Sequence, residues 1–388
     1  MLYQYLNFSS TMATLILWGV CAVLTTINAL PVDVQLMTTI DDSKVHNREV
    51  RSSTDGLGWH LDRIDQRQKP LDGKYCPISQ GSGVDIYVFS TGIEYKHEEF
   101  GGRAFYGGYD KYGYDGSDCD GQGTAVASLA VGKIVGVAKK AKVYSIKVLK
   151  CYSSGGVDFS AVIEGMEHVI NRVRFSHKRS VVALPFLGYI RHPDVNAIIR
   201  KAVNAVIRKA VDAGIVVVTG AGFHAEDACN ESPANSPDVI TVGSTHAKDG
   251  IIYGFFHGVN YGKCITLFAP GHYITAATIS YRCLFKSTKK CYEERYGDTK
   301  EACGIVAGAA ALVLEQFPRY TPEEVKQHLA NKATDGAINM EWLLPRMKAK
   351  TPNKLLYIGK DDGCIEKEIP FSGSGDYNDN SDDEDLWK

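Results

Sequence analysis

The chain has 388 residues, 44% of them hydrophobic, so it is long enough to bury a large core. Its formal net charge of −2 gives no electrostatic reason to expect a nucleic-acid partner or an anionic membrane surface. No glycine-rich phosphate loop and no metal-ligand histidine spacing is present in the sequence. The sequence therefore predicts no cofactor and no metal.

The N-terminal segment has the pattern of a secretory signal peptide. Its first charged residue is Asp33, and an apolar run at 13–24 is followed by small polar residues up to Ala29. This pattern predicts a signal peptide over residues 1–29, hence a secreted, extracellular protein with no membrane insertion after signal cleavage. An uncleaved signal anchor is the alternative, since so short a run barely spans a bilayer. Residues 30–55 are polar and aperiodic, and are predicted to be a short pro-segment remnant or disordered leader.

Between residues 56 and 360, apolar strands alternate with amphipathic helices. A helix is predicted over 157–173, and another begins at Thr321, where Thr321 and Glu324 form a capping box around Pro322. The strand candidates are apolar on both faces, as expected for parallel strands covered by helices on both sides. They lie at 84–89, 142–148, 181–187, 215–218, 239–242 and 264–268. This alternation predicts an α/β fold with a doubly wound, mostly parallel sheet in a single main domain.

Residues 195–202 and 203–210 are nearly identical copies of one another. Eight residues advance a helix by about 800°, which is about 80° away from a whole number of turns. The two copies therefore cannot present the same face to the core. We predict that they form one long surface helix.

Three short segments of the chain resemble the motifs of a known family. They are Ser90-Thr91-Gly92, Gln122-Gly123-Thr124 and the run 298–302, which contains Lys300. These segments are similar to the D-T-G, H-G-T and G-T-S-x-A motifs of the subtilase (peptidase S8) superfamily, proteinase K branch, and most closely to its proprotein convertase members. The resemblance covers about residues 59–357 and implies a subtilisin-like domain over residues 56–360, on the fold of a serine endopeptidase.

The resemblance also implies which positions would carry the chemistry. Ser90, Gln122 and Lys300 occupy the positions of the acid, histidine and serine, and Phe223 occupies the position of the oxyanion asparagine. A glutamine cannot act as a general base near neutral pH, and a phenylalanine donates no hydrogen bond to an oxyanion. Lys300 is a cation at a helix N-terminus, an unfavourable placement that nearby Asp298 would offset. No catalytic residue is therefore expected to be intact.

These replacements predict a secreted, catalytically inactive protease homologue that acts by protein binding or regulation. Its partner would be an extracellular protein or receptor of unknown identity, bound at what remains of the substrate groove. The groove residues are expected to be Leu184, Pro185, Phe186, Leu187, Ala221 and Gly222. One alternative is an active secreted subtilisin-like serine endopeptidase, and another is an extracellular matrix or structural protein. His97, His224 and His272 lie in loops near the expected cleft and are predicted to be surface or structural histidines.

The resemblance implies disulfides Cys119–Cys151 and Cys229–Cys264, with Cys283 and Cys291 as a local pair. Cys76, Cys303 and Cys364 have no assigned partner, and Cys303 is expected to be a small buried packing residue. Asn230 begins the glycosylation sequon Asn-Glu-Ser. Residues 361–388 are strongly acidic and are predicted to be a disordered tail.

Overall fold

A computed structural model describes residues 58–113, 115–151, 157–185, 193–252, 258–283, 291–295 and 297–360. The signal peptide, the leader and the acidic tail lie outside these residues, so the domain boundaries stay predictions. None of the described helices is both long and apolar enough to cross a membrane.

Nine of the described strands form one sheet. Its order is β10-β11-β7-β6-β5-β4-β1-β3-β2, and all neighbouring strands are parallel except the antiparallel pair β10 and β11. The strands β8 and β9 form a separate antiparallel pair. The strand bounds are β1 Val84–Ser90, β2 Ala104–Asp110, β3 Lys142–Lys147, β4 Arg179–Leu184, β5 Val216–Gly220, β6 Ile240–Thr245, β7 Leu267–Pro270, β8 Ile274–Ala277, β9 Tyr292–Arg295, β10 Thr334–Asp335 and β11 Lys354–Leu355.

Helices cover both faces of this sheet. On β1, Ile86 and Val88 pack with residues of α2 and α5, whereas Tyr87 and Phe89 pack with residues of α3 and α4. The helix bounds are α1 Trp59–Ile64, α2 Gln122–Val131, α3 Phe159–Ser176, α4 Pro193–Asp212, α5 Thr299–Gln316, α6 Pro322–Lys332 and α7 Pro345–Lys348. The prediction of a doubly wound, mostly parallel α/β sheet in one main domain is confirmed.

A local sequence signal accounts for the start of α6. The Thr321 hydroxyl accepts a hydrogen bond from Glu324 N, which confirms the predicted capping box at the start of α6.

The repeated segment forms one continuous helix, α4, and its two copies face differently. Ile198 is 70% exposed, whereas Val206, at the same position in the second copy, is 3% exposed. This difference confirms the prediction from helix geometry.

Two of the disulfides implied by the resemblance are present, Cys119–Cys151 and Cys229–Cys264. Cys76 also takes part in a disulfide. The side chain of Cys283 and all of Cys364 lie outside the described residues, so the Cys283–Cys291 pair stays a prediction. Cys303 is fully buried in α5, as expected of a packing residue, and burial raises the pKa of its thiol.

Candidate functional site

Two of the predicted catalytic positions meet where β1 ends and α2 begins. Ser90 is the last residue of β1 and is almost fully buried, and Gln122 is the first residue of α2. The side-chain amide Nε2 of Gln122 donates a hydrogen bond of 3.3 Å to the hydroxyl oxygen of Ser90. The structure therefore brings this pair together, but neither side chain has a group that titrates near neutral pH.

The carboxylate of Asp118 joins the loop after β1 to the start of α2. Its Oδ1 accepts hydrogen bonds from the Thr91 hydroxyl at 2.8 Å and from Gly121 N at 3.0 Å. Its Oδ2 accepts from the Thr124 hydroxyl at 2.6 Å and from Thr124 N at 2.9 Å. One side chain therefore sets the relative position of the two segments that carry Ser90 and Gln122.

Glycine allows the two segments to approach this closely. A Cβ added to Gly123 would lie 1.9 Å from the carbonyl oxygen of Gly92. Gly92 has a φ of 119°, and a Cβ there would lie 2.3 Å from the carbonyl oxygen of Ser117. Backbone therefore packs directly on backbone here, which no residue with a side chain would permit.

Lys300 lies in the first turn of α5. The helix is capped by Asp298, whose carboxylate accepts from Lys300 N at 2.8 Å, and Glu301 completes the capping box. The Lys300 ammonium lies 3.1 Å from Asp298 Oδ2, and this carboxylate raises the pKa of the lysine. The prediction that Asp298 offsets the unfavourable helix-end charge is confirmed. Lys300 therefore stays a cation at neutral pH and offers neither a base nor a nucleophile.

Phe223 follows β5 in a loop that is held by the buried side chain of Asn260. The Asn260 Nδ2 donates to Ala221 O at 2.9 Å, and its Oδ1 accepts from His224 N and from Glu226 N, both at 3.0 Å. Because the amide group contacts the loop at three points, it fixes the loop on both sides of Phe223.

Phe223 and Lys300 line one cleft of about 370 Å³. The remaining lining residues are mostly charged, and all of them lie on β9 or around the start of α5. They are Glu293, Glu294, Arg295, Gly297, Asp298 and Glu301. The four positions implied by the resemblance thus form two pairs, Ser90 with Gln122 and Phe223 with Lys300. In the described part of the chain, no hydrogen bond joins one pair to the other.

The predicted groove residues lie at the ends of β4 and β5. Leu184, Pro185, Ala221 and Gly222 are all buried, and Phe186 and Leu187 lie outside the described residues. The Thr299 hydroxyl accepts a hydrogen bond of 3.1 Å from Gly222 N, which ties the start of α5 to this loop. Use of these residues in peptide binding stays a prediction.

His224 is exposed, as predicted for a surface histidine, but its partner Glu231 was not predicted from the sequence. His224 Nδ1 lies 3.1 Å from Oε1 of Glu231, whose side chain is 3% exposed. Hydrogen bonding to this carboxylate is the largest effect on the pKa of His224 and raises it. The two residues are seven positions apart in a loop, so the local sequence gives no signal that they contact one another.

The other two loop histidines are buried. The ring nitrogen Nε2 of His97 donates to Cys291 O at 2.9 Å, and the ring packs edge-on against Tyr292, as expected of a structural histidine. His272 is 2% exposed, and its ring centre lies 5.4 Å from that of Phe223. Asn230 is exposed, and its glycosylation stays a prediction. Across the described ranges, no group of three or more His, Cys, Asp or Glu side chains is arranged to hold a metal ion.

Comparison with known proteins gives three concordant similarities. Residues 81–346 match the sequence model of the Subtilase family. The chain is 37% identical over 301 residues to an extracellular serine proteinase of Thermus sp. (strain Rt41A). This match covers 77% of this chain and 65% of that relative. The chain thus spans slightly less than two thirds of the length of the curated relative. It is also similar to the crystal structure of a cold adapted subtilisin-like serine proteinase, with 35% identity and a TM-score of 0.66, covering 79% of this chain and 100% of the other.

These similarities overturn one expectation from the sequence. The expectation of a catalytically inactive homologue acting by protein binding or regulation is wrong, because the proteins that match most of this chain are named as serine proteinases. They favour the alternative of an active endopeptidase. That expectation was based only on the side chains at Ser90, Gln122, Phe223 and Lys300.

Proposed function

This chain belongs to the subtilase family, and we propose that it is a secreted, subtilisin-like endopeptidase that hydrolyses peptide bonds in extracellular polypeptides. One observation carries the proposal: the 37% identity, over 77% of the chain, to an extracellular serine proteinase. The family match over residues 81–346 spans the segments that carry Ser90, Gln122, Phe223 and Lys300.

The position of the cleft also supports the proposal. In open sheets of parallel strands, ligands bind outside the carboxyl ends of the strands. Ser90 ends β1, and Phe223 follows the end of β5, so the candidate residues lie at this edge of the sheet. The charged lining supplies polar groups that could fix a polypeptide, and backbone groups at the end of β4 could pair with an extended chain.

Secretion is part of the proposal and has three supports. Residues 1–29 have a signal-peptide pattern, and the Thermus relative is named as extracellular. The disulfides Cys119–Cys151 and Cys229–Cys264 suit an oxidising compartment. We also propose that the chain is most similar to the proprotein convertase members of the family. Its substrate or partner would be an extracellular protein.

The test is turnover of peptide by the secreted full-length chain. Fluorogenic peptide mixtures would be incubated with purified protein, and the activity would be required to co-elute with the protein on a sizing column. A fourfold variant, S90D/Q122H/F223N/K300S, places the residues of the family motifs at the four positions and serves as a positive control. Hydrolysis by the wild-type chain supports the proposal. Hydrolysis by the folded variant, with none by the wild-type chain, would overturn it.

A further inference from the structure

We propose that Cys76 forms a disulfide with Cys364, and that this bond ties the start of the acidic tail, residues 361–388, to the subtilisin-like domain. Cys76 takes part in a disulfide. Cys364 lies outside the described residues, four positions after the last of them, Lys360. The bond would form whether or not the chain hydrolyses peptides, so a test of one leaves the other untouched.

The first support is the position of Cys76 beside the end of the described chain. Pro77 and Gly359 form an antiparallel bridge. Continued by one residue, this pairing places Cys76 opposite Lys360, and opposite residues of an antiparallel pair have Cα atoms about 4.5–5.5 Å apart. The chain therefore leaves the described domain next to Cys76.

The second support is the short segment between Lys360 and Cys364. A segment of this length spans at most about 14 Å, and a disulfide needs Cα atoms about 4.4–6.8 Å apart. A single turn after Lys360 therefore brings Cys364 to Cys76 without any movement of the domain. The residues between them are Asp361, Asp362 and Gly363, which are types that favour turns. Because the segment is short, little loop-closure entropy opposes the bond.

The third support is the position of the other cysteines. The two disulfides described above account for four of them. Cys303 is fully buried in α5, where its thiol donates to Val218 O at 3.4 Å. Cys21 belongs to the predicted signal peptide, which would be removed.

Cys283 and Cys291 both belong to the connection between β8 and β9. In that region, the carbonyl oxygen of Cys291 accepts from Thr278 N at 2.8 Å. Cys76 has different neighbours, since its backbone N–H donates to the carboxylate of Asp65 at the end of α1. Cys364 is therefore the cysteine whose place in the chain matches the surroundings of Cys76.

The surface beside this point carries charge opposite to that of the tail. Lys332 and Lys360 line a groove of about 360 Å³. Its apolar lining residues include Ile78, two positions after Cys76, as well as Phe317 and Ile358. The tail begins with two aspartates, and attraction to the lysines keeps this acidic start close to the groove. The effective concentration of the Cys364 thiol at Cys76 is raised accordingly.

The bond forms by thiol–disulfide exchange with an external disulfide, the oxidant that an oxidising compartment supplies. The thiolate of one cysteine attacks the external disulfide to give a mixed disulfide, and the thiolate of the other cysteine then displaces the external group. The S–S bond between Cys76 and Cys364 forms as the external S–S bond breaks. The two cysteines lose two protons and two electrons, which the external disulfide gains as it becomes a pair of thiols.

Peptide mapping of the secreted full-length chain tests the bond. Thiols would be blocked with N-ethylmaleimide under denaturing conditions, and the chain would then be digested with trypsin without reductant. Trypsin cuts after lysine and arginine, so Cys76 falls in peptide 75–96 and Cys364 in peptide 361–367, each with a single cysteine. Mass spectrometry should find the two peptides joined, at a mass lower than their sum by two hydrogen atoms, and reductant should separate them.

Two variants complete the test. In Cys364→Ser, peptide 75–96 should be recovered with N-ethylmaleimide on Cys76, because its partner is gone. The control is Cys303→Ala, which should keep the joined peptides because Cys303 is buried in α5 away from the bond. Peptide 75–96 joined to any other cysteine peptide of the wild type would overturn the proposal. Recovery of wild-type peptide 361–367 with N-ethylmaleimide on Cys364 would also overturn it.

Discussion

His60 should make the stability of this protein sensitive to mild acid. The residue lies in α1 and is fully buried, and its Nε2–H donates to Val135 O at 2.8 Å. Its other ring nitrogen, Nδ1, is buried without a hydrogen-bond partner in the described structure. A protonated ring would therefore place an unpaired charge in the core. Burial accordingly lowers the pKa of His60 from 6.5 to about 4.

The loss of stability can be calculated from the difference between the pKa of His60 in the unfolded chain and its pKa in the folded protein. Because the folded pKa lies below the unfolded one, the unfolded chain binds a proton first as the pH falls, and stability is lost from about pH 6.5 down to about pH 4. At 1.36 kcal/mol per pKa unit, the complete loss is about 3 kcal/mol. About 2 kcal/mol of it should appear between pH 7 and pH 5.

Urea unfolding of the wild type and His60→Gln at pH 5, 6 and 7 would measure this loss. Glutamine can still donate to Val135 O but does not titrate, so the variant should lose about 2 kcal/mol less than the wild type between pH 7 and pH 5. The partly exposed His168 is the matched control, and His168→Gln should show the same change in stability between pH 7 and pH 5 as the wild type. Equal losses in the wild type and His60→Gln would refute the reasoning.

Three further predictions concern a close backbone contact, a disulfide and a buried carboxyl group. Gly123→Ala should lower the free energy of unfolding by about 3 kcal/mol, because its Cβ would lie 1.9 Å from Gly92 O; an unchanged urea midpoint would argue against this close approach. Changing Cys229 and Cys264 to serine should cost about 4 kcal/mol in thermal unfolding, as expected for a disulfide with a sequence separation of 35, and a loss below about 1 kcal/mol would contradict it. Burial raises the pKa of Asp65 to about 7, so the folded chain keeps a proton that the unfolded chain releases near pH 4, and stability falls as the pH rises between these values. Because this effect opposes that of His60, Asp65→Asn should make the urea midpoint fall more steeply than in the wild type as the pH is lowered from 7 to 4, and an equal slope would refute it.

The central strands could be predicted because both of their faces are buried. Strand β1 is apolar at almost every position and was expected at 84–89, close to the observed Val84–Ser90. The edge strand β2 was not predicted. It has two consecutive glycines and an irregular register, and its Phe105 and Tyr106 are 38% and 40% exposed, so its sequence shows neither alternation nor a continuous apolar run.

Some residues of the candidate site could also be predicted from the local sequence, whereas others depend on contacts between distant segments. Ser90 and Gln122 could be located from the sequence because each begins a short motif whose glycine and threonine determine the local backbone. The pair His224 and Glu231 could not, because the loop that joins them is shaped by Asn260, which lies 36 residues after His224. A contact that depends on so distant a residue has no signature in the local sequence.

The hydrogen bonds to Asp118 have a consequence for how this site can change. The shape of the junction between β1 and α2 depends on Asp118 and on the glycines Gly92 and Gly123 rather than on the side chains of Ser90 and Gln122. Side chains at positions 90 and 122 can therefore be exchanged without disturbing the backbone that presents them. The backbone of this junction and the side chains that it presents are therefore determined by different residues, so the side chains can change in evolution while the architecture persists.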